Sequence, residues 1–321
     1  MRLYAAPMEG LTNITWRQVH ARLFSGVDAY FTPFLSPNQN LEFSNKELRE
    51  IDPAANDGIS VIPQLLTNNA AHFLWAVGEL RHMGYTRVDL NLGCPSGTVM
   101  AKRKGAGFLT DPVALNGFLG EIFANADIKI SIKTRLGRCD MAEWESLLAI
   151  YARYPLVELT VHPRLAVDGY NGHPRMEGYA AAVDAMPFPV CYNGDLSTVD
   201  DASRVIAAYP STDALMLGRG LTGDPALVRQ LKGGAPLNEA ELRGYIEELY
   251  AAYRTYYPDQ RAAIGRMKEH WLHLKKHFAD SDRFYRRICK ADSAPEYEAA
   301  AAVLWRDCAF MPLENGWEAA E

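Results

Sequence analysis

Cysteine is scarce in this sequence, and no two cysteines stand close enough together to form a short binding motif. The five are Cys94, Cys139, Cys191, Cys289 and Cys308, an odd number without a CxxC pair. This spacing argues against a disulfide framework and against a zinc site. We therefore expect a protein of the reducing cytoplasm that binds no metal.

Long apolar runs, internal repeats and low-complexity tracts are also missing. No stretch approaches the roughly 20 apolar residues that cross a bilayer, and the apolar part of the N-terminal "MRLYAAPMEG" is too short for a secretory signal. Hydrophobic residues still make up 48% of the 321 residues, enough for one large core or for a large domain with a small one. We expect a cytoplasmic protein with no membrane anchor and no obligate protein partner.

The chain as a whole has no excess of positive charge, since its formal net charge is -6. The segment from Arg254 to Lys290 is the exception, with ten Lys and Arg against four acids. Within it, Arg261, Lys268 and Lys275 recur every seven residues and would share one helical face. A solvated helix face would explain this run. Phosphate contacts with a nucleic acid would explain it as well, and their affinity should fall steeply with salt.

Short apolar or β-branched runs alternate with helix-compatible stretches over about the first 230 residues. The eight runs are Leu3–Ala6, Ala29–Thr32, Ser60–Leu65, Arg87–Leu92, Lys129–Lys133, Val157–Val161, Val190–Asn193 and Ala214–Leu217. This alternation favours an α/β fold of the (β/α)8 TIM-barrel type over an open doubly wound sheet. Several runs are apolar at consecutive positions, as expected where both faces of a strand are buried. Residues 33–58 are predicted to form a long loop with one short helix.

The alternation ends at "LKGGAPLNEAEL", residues 231–242. Gly233, Gly234 and Pro236 mark a boundary, and Asn238 followed by Glu241 has the spacing of a helix N-cap with an acid in the first turn. The rest of the chain has the pattern of helices without strands. We predict a catalytic TIM barrel over residues 1–234 and a small all-helical domain over residues 238–321.

Two glycine-containing loops follow the seventh and eighth predicted strands, where barrels of this kind commonly bind phosphate. The sequences "YNGD" and "LGRG" place there Asn193, Gly194, Asp195, Gly218 and Arg219. Glycines allow an anion to approach backbone N–H groups, and an arginine adds a fixed positive charge. Together they predict a phosphate site, although each glycine alone would equally suit a tight turn.

Other strand ends carry groups suited to a planar heterocycle. Lys133 is predicted to end a strand in the barrel mouth, where it needs an anionic partner or must lose its charge and become a nucleophile. A lysine that snorkels at the rim is the plainer interpretation. His162 ends the neighbouring strand and could be an ordinary core histidine. Gln64 and Asn91 offer the paired donors and acceptors that bind a ring edge.

Cys94 follows Gly93 and Pro95 comes next, a short distance before the basic residues Lys102, Arg103 and Lys104. A buried structural cysteine is the usual interpretation. A thiol whose pKa is near about 8.5 is mostly protonated at neutral pH, so it suits a general acid as well as a nucleophile. The glycines of "KGAG" (104–107) are expected to form a mobile lid or a surface of close approach.

These motifs, in this order, resemble those of the tRNA-dihydrouridine synthases. The chain carries "APMEG" (6–10), "DLNLGCPSGTVMAKRKGAG" (89–107), "IKTRLG" (132–137), "HPR" (162–164), "NGD" (193–195), "GRG" (218–220) and "RMKEHW" (266–271). The resemblance covers most of the chain, and the second block is its most specific part. It implies an FMN-dependent barrel with a helical tRNA-binding domain. Such an enzyme uses NADPH to reduce a uridine in the D-arm of tRNA to 5,6-dihydrouridine.

The resemblance also implies a role for each matching residue. Residues expected to line or contact the flavin ring are Pro7, Met8, Glu9, Gln64, Lys133 and His162, with Lys133 near N1. Residues expected to hold its phosphate are Asn193, Gly194, Asp195, Gly218 and Arg219. The flavin N5 hydride would go to C6 of the uracil, Cys94 would protonate C5, and Asn91 would contact the base edge. Further contacts to the tRNA are assigned to Lys102, Lys104, Arg261, Lys268 and Lys275.

One motif departs from the family pattern and leaves a base contact open. The stretch "HPRLAVDGYNGHPR" (162–175) has proline where many relatives have glycine, so Arg175 is a candidate for the base contact and Arg164 is its rival. Three other functions also remain. A flavin barrel for a small molecule, similar to dihydroorotate dehydrogenase, would not need residues 238–321. A Schiff-base aldolase acting through Lys133 would be colourless, and a non-catalytic RNA-binding module would not need Cys94.

Overall fold

The computed structural model of the protein describes residues 1–313. Its strands are β1 (Arg2–Ala5), β2 (Ala29–Phe31), β3 (Val61–Ile62), β4 (Gln64–Leu65), β5 (Arg87–Leu92), β6 (Lys129–Arg135), β7 (Glu158–His162), β8 (Val190–Tyr192) and β9 (Ala214–Leu217). They pair in parallel, in the order β3-β2-β1-β9-β8-β7-β6-β5-β4. Only Pro63 separates β3 from β4, and proline has no N–H to donate to a ladder. The two edges of the sheet are thus halves of one strand, and the sheet forms a nearly closed (β/α)8 barrel, as predicted.

The eight predicted strands are all present, with one correction that affects the site. Lys133 does not end its strand, because β6 continues through Thr134 and Arg135. These two residues pair with Val161 and His162 of β7. The neighbouring strand β7 is long enough to pair with two more residues of β6. The apolar pattern of β6 alone could not indicate this.

Helices follow most strands and then form the C-terminal region. They are α1 (Ile14–Leu23), α2 (Asn45–Glu50), α3 (Ala70–His82), α4 (Gly97–Met100), α5 (Pro112–Asn125), α6 (Ala142–Tyr151), α7 (Met176–Ala185), α8 (Val199–Ala208), α9 (Arg219–Gly223), α10 (Leu227–Leu231), α11 (Glu239–Tyr256), α12 (Gln260–Leu274), α13 (Asp282–Lys290) and α14 (Ala294–Asp307). The short helix predicted within residues 33–58 is α2. No helix within residues 1–313 is long and apolar enough to cross a membrane.

The predicted start of the C-terminal helices is confirmed by the geometry of the cap of α11. Asn238 Oδ1 accepts a hydrogen bond from the Glu241 N–H at 3.0 Å, and Glu241 Oε2 accepts one from the Asn238 N–H at 3.2 Å. This reciprocal capping box satisfies two N–H groups that a helix start would otherwise leave unpaired. The local sequence signal was therefore sufficient to locate this helix start.

By contact density, the described chain divides into two compact units. The first comprises residues 1–7, 28–194 and 205–216, and the second comprises residues 8–27, 195–204 and 217 onward. The second unit therefore includes α1 and the loops after β8 and β9 as well as the C-terminal helices. The predicted domains, 1–234 and 238–321, have different boundaries and stay a prediction. Residues 314–321 of the predicted helical domain lie outside the described residues.

Candidate active site

Cys94 lies half-buried just beyond β5, in a turn that polar side chains hold on both sides. The Asn91 Oδ1 atom accepts hydrogen bonds from the N–H groups of Gly93 at 3.1 Å and Cys94 at 2.9 Å. Arg135 Nε donates to the Gly93 carbonyl at 3.0 Å. These contacts fix the backbone that carries the thiol, whereas Cys191 is fully buried in the barrel.

The glycines of "KGAG" include Gly105, whose backbone lies close to Cys94. Gly105 has a φ of +55°, and a Cβ built on it would lie 2.9 Å from the Cys94 carbonyl oxygen and 3.0 Å from the Cys94 Cβ. Ala106 N–H donates to that same carbonyl at 3.1 Å. The segment Gly105–Thr110 is a buried 3-10 helix. A larger residue than glycine at position 105 would therefore collide with the cysteine itself.

Gln64 and Asn91, predicted to bind the edge of a heterocycle, form a hydrogen bond with each other. The register of the sheet aligns Gln64 with Asp89 and Asn91 with Lys133. Gln64 Nε2 donates to Asp89 Oδ2 at 2.8 Å, and Gln64 Oε1 accepts from Asn91 Nδ2 at 2.7 Å. Both side chains are buried. A ligand could therefore form hydrogen bonds only with those donors and acceptors of the two side chains that these contacts do not use.

Lys133 has a pKa below the usual value of a lysine. It projects from β6 between Asn91 of β5 and Thr160 of β7. Burial, and after it the charge of Arg135, lower its pKa to about 8, while Asp89 partly opposes the shift. Since the ammonium group loses hydration and faces a like charge, an anionic or electron-rich ligand would stabilise it. Lys133 is half-buried, and its role beside a flavin stays a prediction.

His162 ends β7 and has one ring nitrogen engaged by Arg164. The guanidinium Nη1 of Arg164 lies 3.2 Å from His162 Nε2. A guanidinium only donates, so Nε2 accepts and the proton of the neutral ring is on Nδ1. Arg164 is itself buried, and it donates to the carbonyl of Asn171 at 3.2 Å and to that of Gly172. This arginine orients the histidine and the loop after β7.

The two rival arginines have different partners, and the base contact stays a prediction. Arg175 forms an ion pair with Asp168, which holds the pKa of that carboxyl below its usual value. Tyr170 lies in the chain between Arg164 and Arg175 and is 57% exposed. Its ring centroid is 6.2 Å from that of His162. The Arg135 guanidinium carbon is 5.5 Å from the Tyr170 ring. The sequence analysis did not select Tyr170, because its exposure and neighbours follow from the folding of the loop.

The turn after β1 contains the first three predicted cofactor residues. Pro7 and Met8 are half-buried and Glu9 is exposed. The Met8 N–H donates to Thr12 Oγ1 at 2.8 Å, and the Met8 carbonyl accepts from the Thr12 N–H at 3.0 Å. These bonds fix the turn, and the flavin-lining role of the three residues stays a prediction.

The loops after β8 and β9 are tied together by specific polar contacts. Asn193 Nδ2 donates to the Met216 carbonyl at 2.7 Å. Asp195, in a left-handed backbone conformation with a φ of +44°, accepts from Arg219 Nη2 at 2.7 Å. Arg219 is thus held in place by a carboxylate. An oriented arginine of this kind can bind a phosphate with its remaining donors.

Gly220 allows the closest approach between these two loops. A Cβ built on it would lie 1.9 Å from the Leu196 carbonyl oxygen and 2.8 Å from the Ser197 Cα. Because both atoms belong to the backbone, no side-chain rotation could relieve the overlap. Position 220 therefore requires glycine for the contact between α9 and the loop after β8.

The basic residues predicted to bind tRNA differ in their surroundings. Lys268 and Lys275 form ion pairs with Asp292 at 3.6 Å and with Asp282 at 2.6 Å. Arg261 and Lys102 are exposed. Lys104 is half-buried and donates to Ser36 Oγ at 3.2 Å. Pairing with acids reduces the charge that the predicted face of α12 offers, and the tRNA contacts of all five residues stay predictions.

A second basic face lies on α13, which the seven-residue spacing did not select. Phe284 and Ile288 are buried, whereas the exposed side chains of this helix include Arg283, Arg286, Arg287 and Lys290. The guanidinium carbon of Arg283 is 4.4 Å from the Phe284 ring centroid. The charge of the basic segment is therefore most accessible on α13.

Comparison with known proteins decides the family. The family model described as "Dihydrouridine synthase (Dus)" matches residues 4–303. The chain belongs to the dihydrouridine synthase family. Relatives in this family include the tRNA-dihydrouridine(16) synthase of Aquipseudomonas alcaligenes, 30% identical over 85% of this chain and 89% of its own. The tRNA-dihydrouridine(16) synthase of Neisseria meningitidis is 27% identical over 95% of both chains.

Another dihydrouridine synthase, tRNA-dihydrouridine synthase B of Escherichia coli, is 26% identical over 96% of this chain and 97% of its own. The predicted family is therefore confirmed, and the protein is an enzyme of tRNA dihydrouridine synthesis.

Solved structures with a similar fold include the old yellow enzyme homologue of Zymomonas mobilis. It is 13% identical, has a TM-score of 0.55, and covers 76% of this chain and 92% of its own. Morphinone reductase, 11% identical, has a TM-score of 0.51 and covers 76% and 88%. At these identities the likeness concerns the fold.

Proposed function

We propose that this dihydrouridine synthase holds FMN and uses NADPH to reduce one D-loop uridine of tRNA to 5,6-dihydrouridine. The observation that carries the proposal is the Cys94 turn, which Asn91 of β5 and Arg135 of β6 hold in place. Lys133 lies on β6 beside Asn91, and His162 lies on β7 beside Arg135. Two of its relatives are named tRNA-dihydrouridine(16) synthases, so uridine 16 is the first position to test.

The residues present suit FMN. Lys133 has a pKa lowered to about 8 by burial and by Arg135, so an electron-rich ring beside it would restore favourable electrostatics. Gln64 and His162 would contact that ring. Arg219, oriented by Asp195, would bind the phosphate, with Asn193, Gly194 and Gly218 supplying backbone and amide donors. Pro7, Met8 and Glu9 would line the ring.

The protein's own residues would then handle the substrate and its protons. Bound FMN would supply the hydride, from N5 to C6 of the uracil. Hydride addition at C6 builds negative charge at O4 and C5, so an acid must deliver a proton to C5. Cys94, on a fixed turn, is that acid, and Asn91 would contact the base edge. The uridine has to leave its stack to enter the site, which costs a few kcal/mol.

The charge of Lys133 should give the enzyme a characteristic pH dependence. Lysine is cationic below its pKa, here about 8, and it becomes neutral as the pH rises through that value. We expect turnover to fall above pH 8, approaching tenfold per unit where the cation is required. The measurement is the rate of dihydrouridine formation from pH 6.5 to pH 9.5.

The control for this profile is Lys133→Arg, whose charge does not titrate in this range. Its activity should be lower in absolute terms, and above pH 8 it should decline only as far as the thiol that acts as the acid loses its proton, since a free thiol has a pKa near about 8.5. Lys133→Met should be weak and should show the same shallow decline. A wild-type decline that persists unchanged in Lys133→Arg would assign the titration to another group.

Contact with tRNA should involve the exposed basic face of α13. Reversing Arg286 and Arg287 to glutamate removes two accessible positive charges. We expect weaker tRNA binding and a plot of log affinity against log salt whose slope is smaller by about 2, one unit for each lost phosphate contact. Binding is measured by fluorescence anisotropy between 50 and 300 mM salt, values chosen on the order of physiological ionic strength.

The matched control is Arg81→Glu with Lys129→Glu, two exposed residues near the amino ends of β5 and β6. This pair makes the same change in net charge away from the carboxyl ends of the strands. Equal losses in both double variants would indicate a non-specific effect of net charge, and an unchanged salt slope in the α13 variant would exclude this helix.

The activity itself is tested by mapping dihydrouridine in tRNA from a strain that lacks the gene. We expect one D-loop position to lose the modification and to regain it when purified protein, FMN and NADPH are added in vitro. A colourless protein that never binds flavin, or an unchanged map in a strain without a second synthase, would refute the proposal. Turnover of a small molecule without tRNA would support the dihydroorotate-dehydrogenase-like alternative.

A further inference from the structure

Three side chains inside the barrel form a continuous hydrogen-bonded series, here named the amide relay, that ends at the Cys94 turn. It begins at Asp89, which is fully buried and accepts from Ser131 Oγ at 2.8 Å and from Gln64 Nε2 at 2.8 Å. It continues from Gln64 Oε1 to Asn91 Nδ2 at 2.7 Å. Asn91 Oδ1 completes it by accepting the two backbone N–H groups at 3.1 and 2.9 Å.

The two ends of the amide relay set the direction of every link between them. An ionised carboxylate only accepts hydrogen bonds, and a backbone N–H only donates them. Gln64 must therefore turn its nitrogen toward Asp89, and Asn91 must turn its oxygen toward the Cys94 turn. Flipping either amide, or both, would place donor against donor or oxygen against oxygen at two links.

Asp89 suits this role because it is ionised at neutral pH although no solvent reaches it. Burial raises its pKa, hydrogen bonds from Gln64 and Ser131 and the charges of Arg87 and Lys133 oppose the shift, and the resulting pKa is about 6. The carboxylate is therefore retained as an acceptor at considerable cost in hydration.

We propose that Asp89 is a positioning residue that, through the orientation of Gln64 and Asn91, holds the Cys94 turn in place and makes the Asn91 side chain a donor toward the substrate. Both lone pairs of Asn91 Oδ1 are taken by the Gly93 and Cys94 amides, so a ligand meets the second N–H of the amide. That N–H donates to a ring carbonyl oxygen, as uracil has at C4, and cannot pair with the amino group that cytosine has there. This selection of the base rests on the proposed function.

Amide hydrogen exchange tests the positioning directly, because the Gly93 and Cys94 N–H groups are the last links of the amide relay. The experiment compares the flavin-loaded wild type with Asp89→Leu, which keeps the number and branching of the side-chain heavy atoms and removes the acceptor. We expect the amides of Gly93 and Cys94 to exchange at least about tenfold faster, after correction for global stability, since a lost buried hydrogen bond costs on the order of 1 kcal/mol or more. Strand amides such as Leu90 should change only with global stability.

Two further variants separate positioning from a general loss of packing. Ser131→Ala removes the other hydrogen bond of Asp89 and leaves the amide relay intact, so exchange at Gly93 and Cys94 should match the wild type. Asp89→Asn should rescue protection, because its oxygen can accept from Gln64 while its nitrogen donates to Ser131 Oγ, whose hydroxyl can donate to the Val88 carbonyl at 3.3 Å. Equal effects of Asp89→Leu and Ser131→Ala would overturn the proposal.

If Asp89→Leu does not fold, Gln64→Met breaks the amide relay in the middle and keeps the carboxylate. It should speed the same two amides, and unchanged protection there would also overturn the proposal. With tRNA, Asp89→Leu should lower kcat at least about tenfold, by displacing the acid, with little change in tRNA affinity. A wild type that never reduces tRNA would end the base-selection part while the exchange result still decides the positioning.

Discussion

Replacing Cys94 with alanine is expected to remove uridine reduction while leaving the flavin in place. General acid catalysis contributes typically about 10²–10⁴ to a rate, so turnover should fall by that factor. Cys94 is half-buried, and two hydrogen bonds hold its backbone: its N–H donates to Asn91 Oδ1, and its carbonyl accepts from the Ala106 N–H. The loss of its thiol should therefore affect stability little. The measurement is dihydrouridine formed per minute, alongside the flavin absorbance of the purified variant.

Two substitutions control for this result. Cys139→Ser removes an exposed thiol elsewhere in the chain and should keep wild-type turnover. Cys94→Ser keeps a hydroxyl that is a weaker acid than a thiol, so a small residual rate is expected. Full turnover in Cys94→Ala would show that another group protonates C5, and loss of the flavin together with activity would indicate a structural role for the cysteine.

Gly220→Ala is expected to weaken cofactor binding strongly. The new Cβ would lie 1.9 Å from the Leu196 carbonyl oxygen, so α9 and the loop after β8 would have to separate. Overpacking of this kind costs about 1–3 kcal/mol and occasionally more. Because the same movement displaces Arg219 from Asp195, FMN affinity should fall by at least about tenfold.

The matched control lies three residues further along the same helix. A Cβ on Gly223 would lie 3.7 Å from the His273 carbonyl oxygen, an ordinary contact. Gly223→Ala should therefore be neutral or stabilising by up to about 1 kcal/mol, as expected for alanine in a helix. Urea unfolding and titration of the flavin-free protein with FMN measure both effects. Equal behaviour of the two variants would contradict a specific requirement for glycine at position 220.

Much of the barrel could be predicted because its strands are short, apolar and regularly spaced. Burial on both faces leaves continuous apolar runs, and the polar residues that follow these runs, such as Cys94 and Arg219, must lie at the carboxyl ends of parallel strands. The order and spacing of these residues were specific enough to indicate the family. The predicted end of β6, at Lys133, was two residues too early, because the length of a strand depends on the partner strand with which it pairs.

The tRNA-binding residues show where such prediction stops. A seven-residue spacing selected Lys268 and Lys275, but each pairs with an acid from another helix or turn. Arg286 and Arg287, with no regular spacing, are exposed on α13. Whether a charge is available to a partner depends on its neighbours in space, and exposed pairs of this kind are worth little to stability. Linear spacing cannot distinguish the two cases.

By itself, the amino-acid sequence determined the alternation of strands and helices, the capping box at Asn238, the chemical groups at the strand ends and the family. Only the tertiary structure decided that Gln64 joins Asp89 to Asn91, that Arg164 engages His162, and that the pKa of Lys133 is lowered to about 8. The reason is physical. Local propensities and apolar periodicity act over a few residues, whereas hydrogen-bond direction, desolvation and charge proximity arise between strands that are distant in the chain.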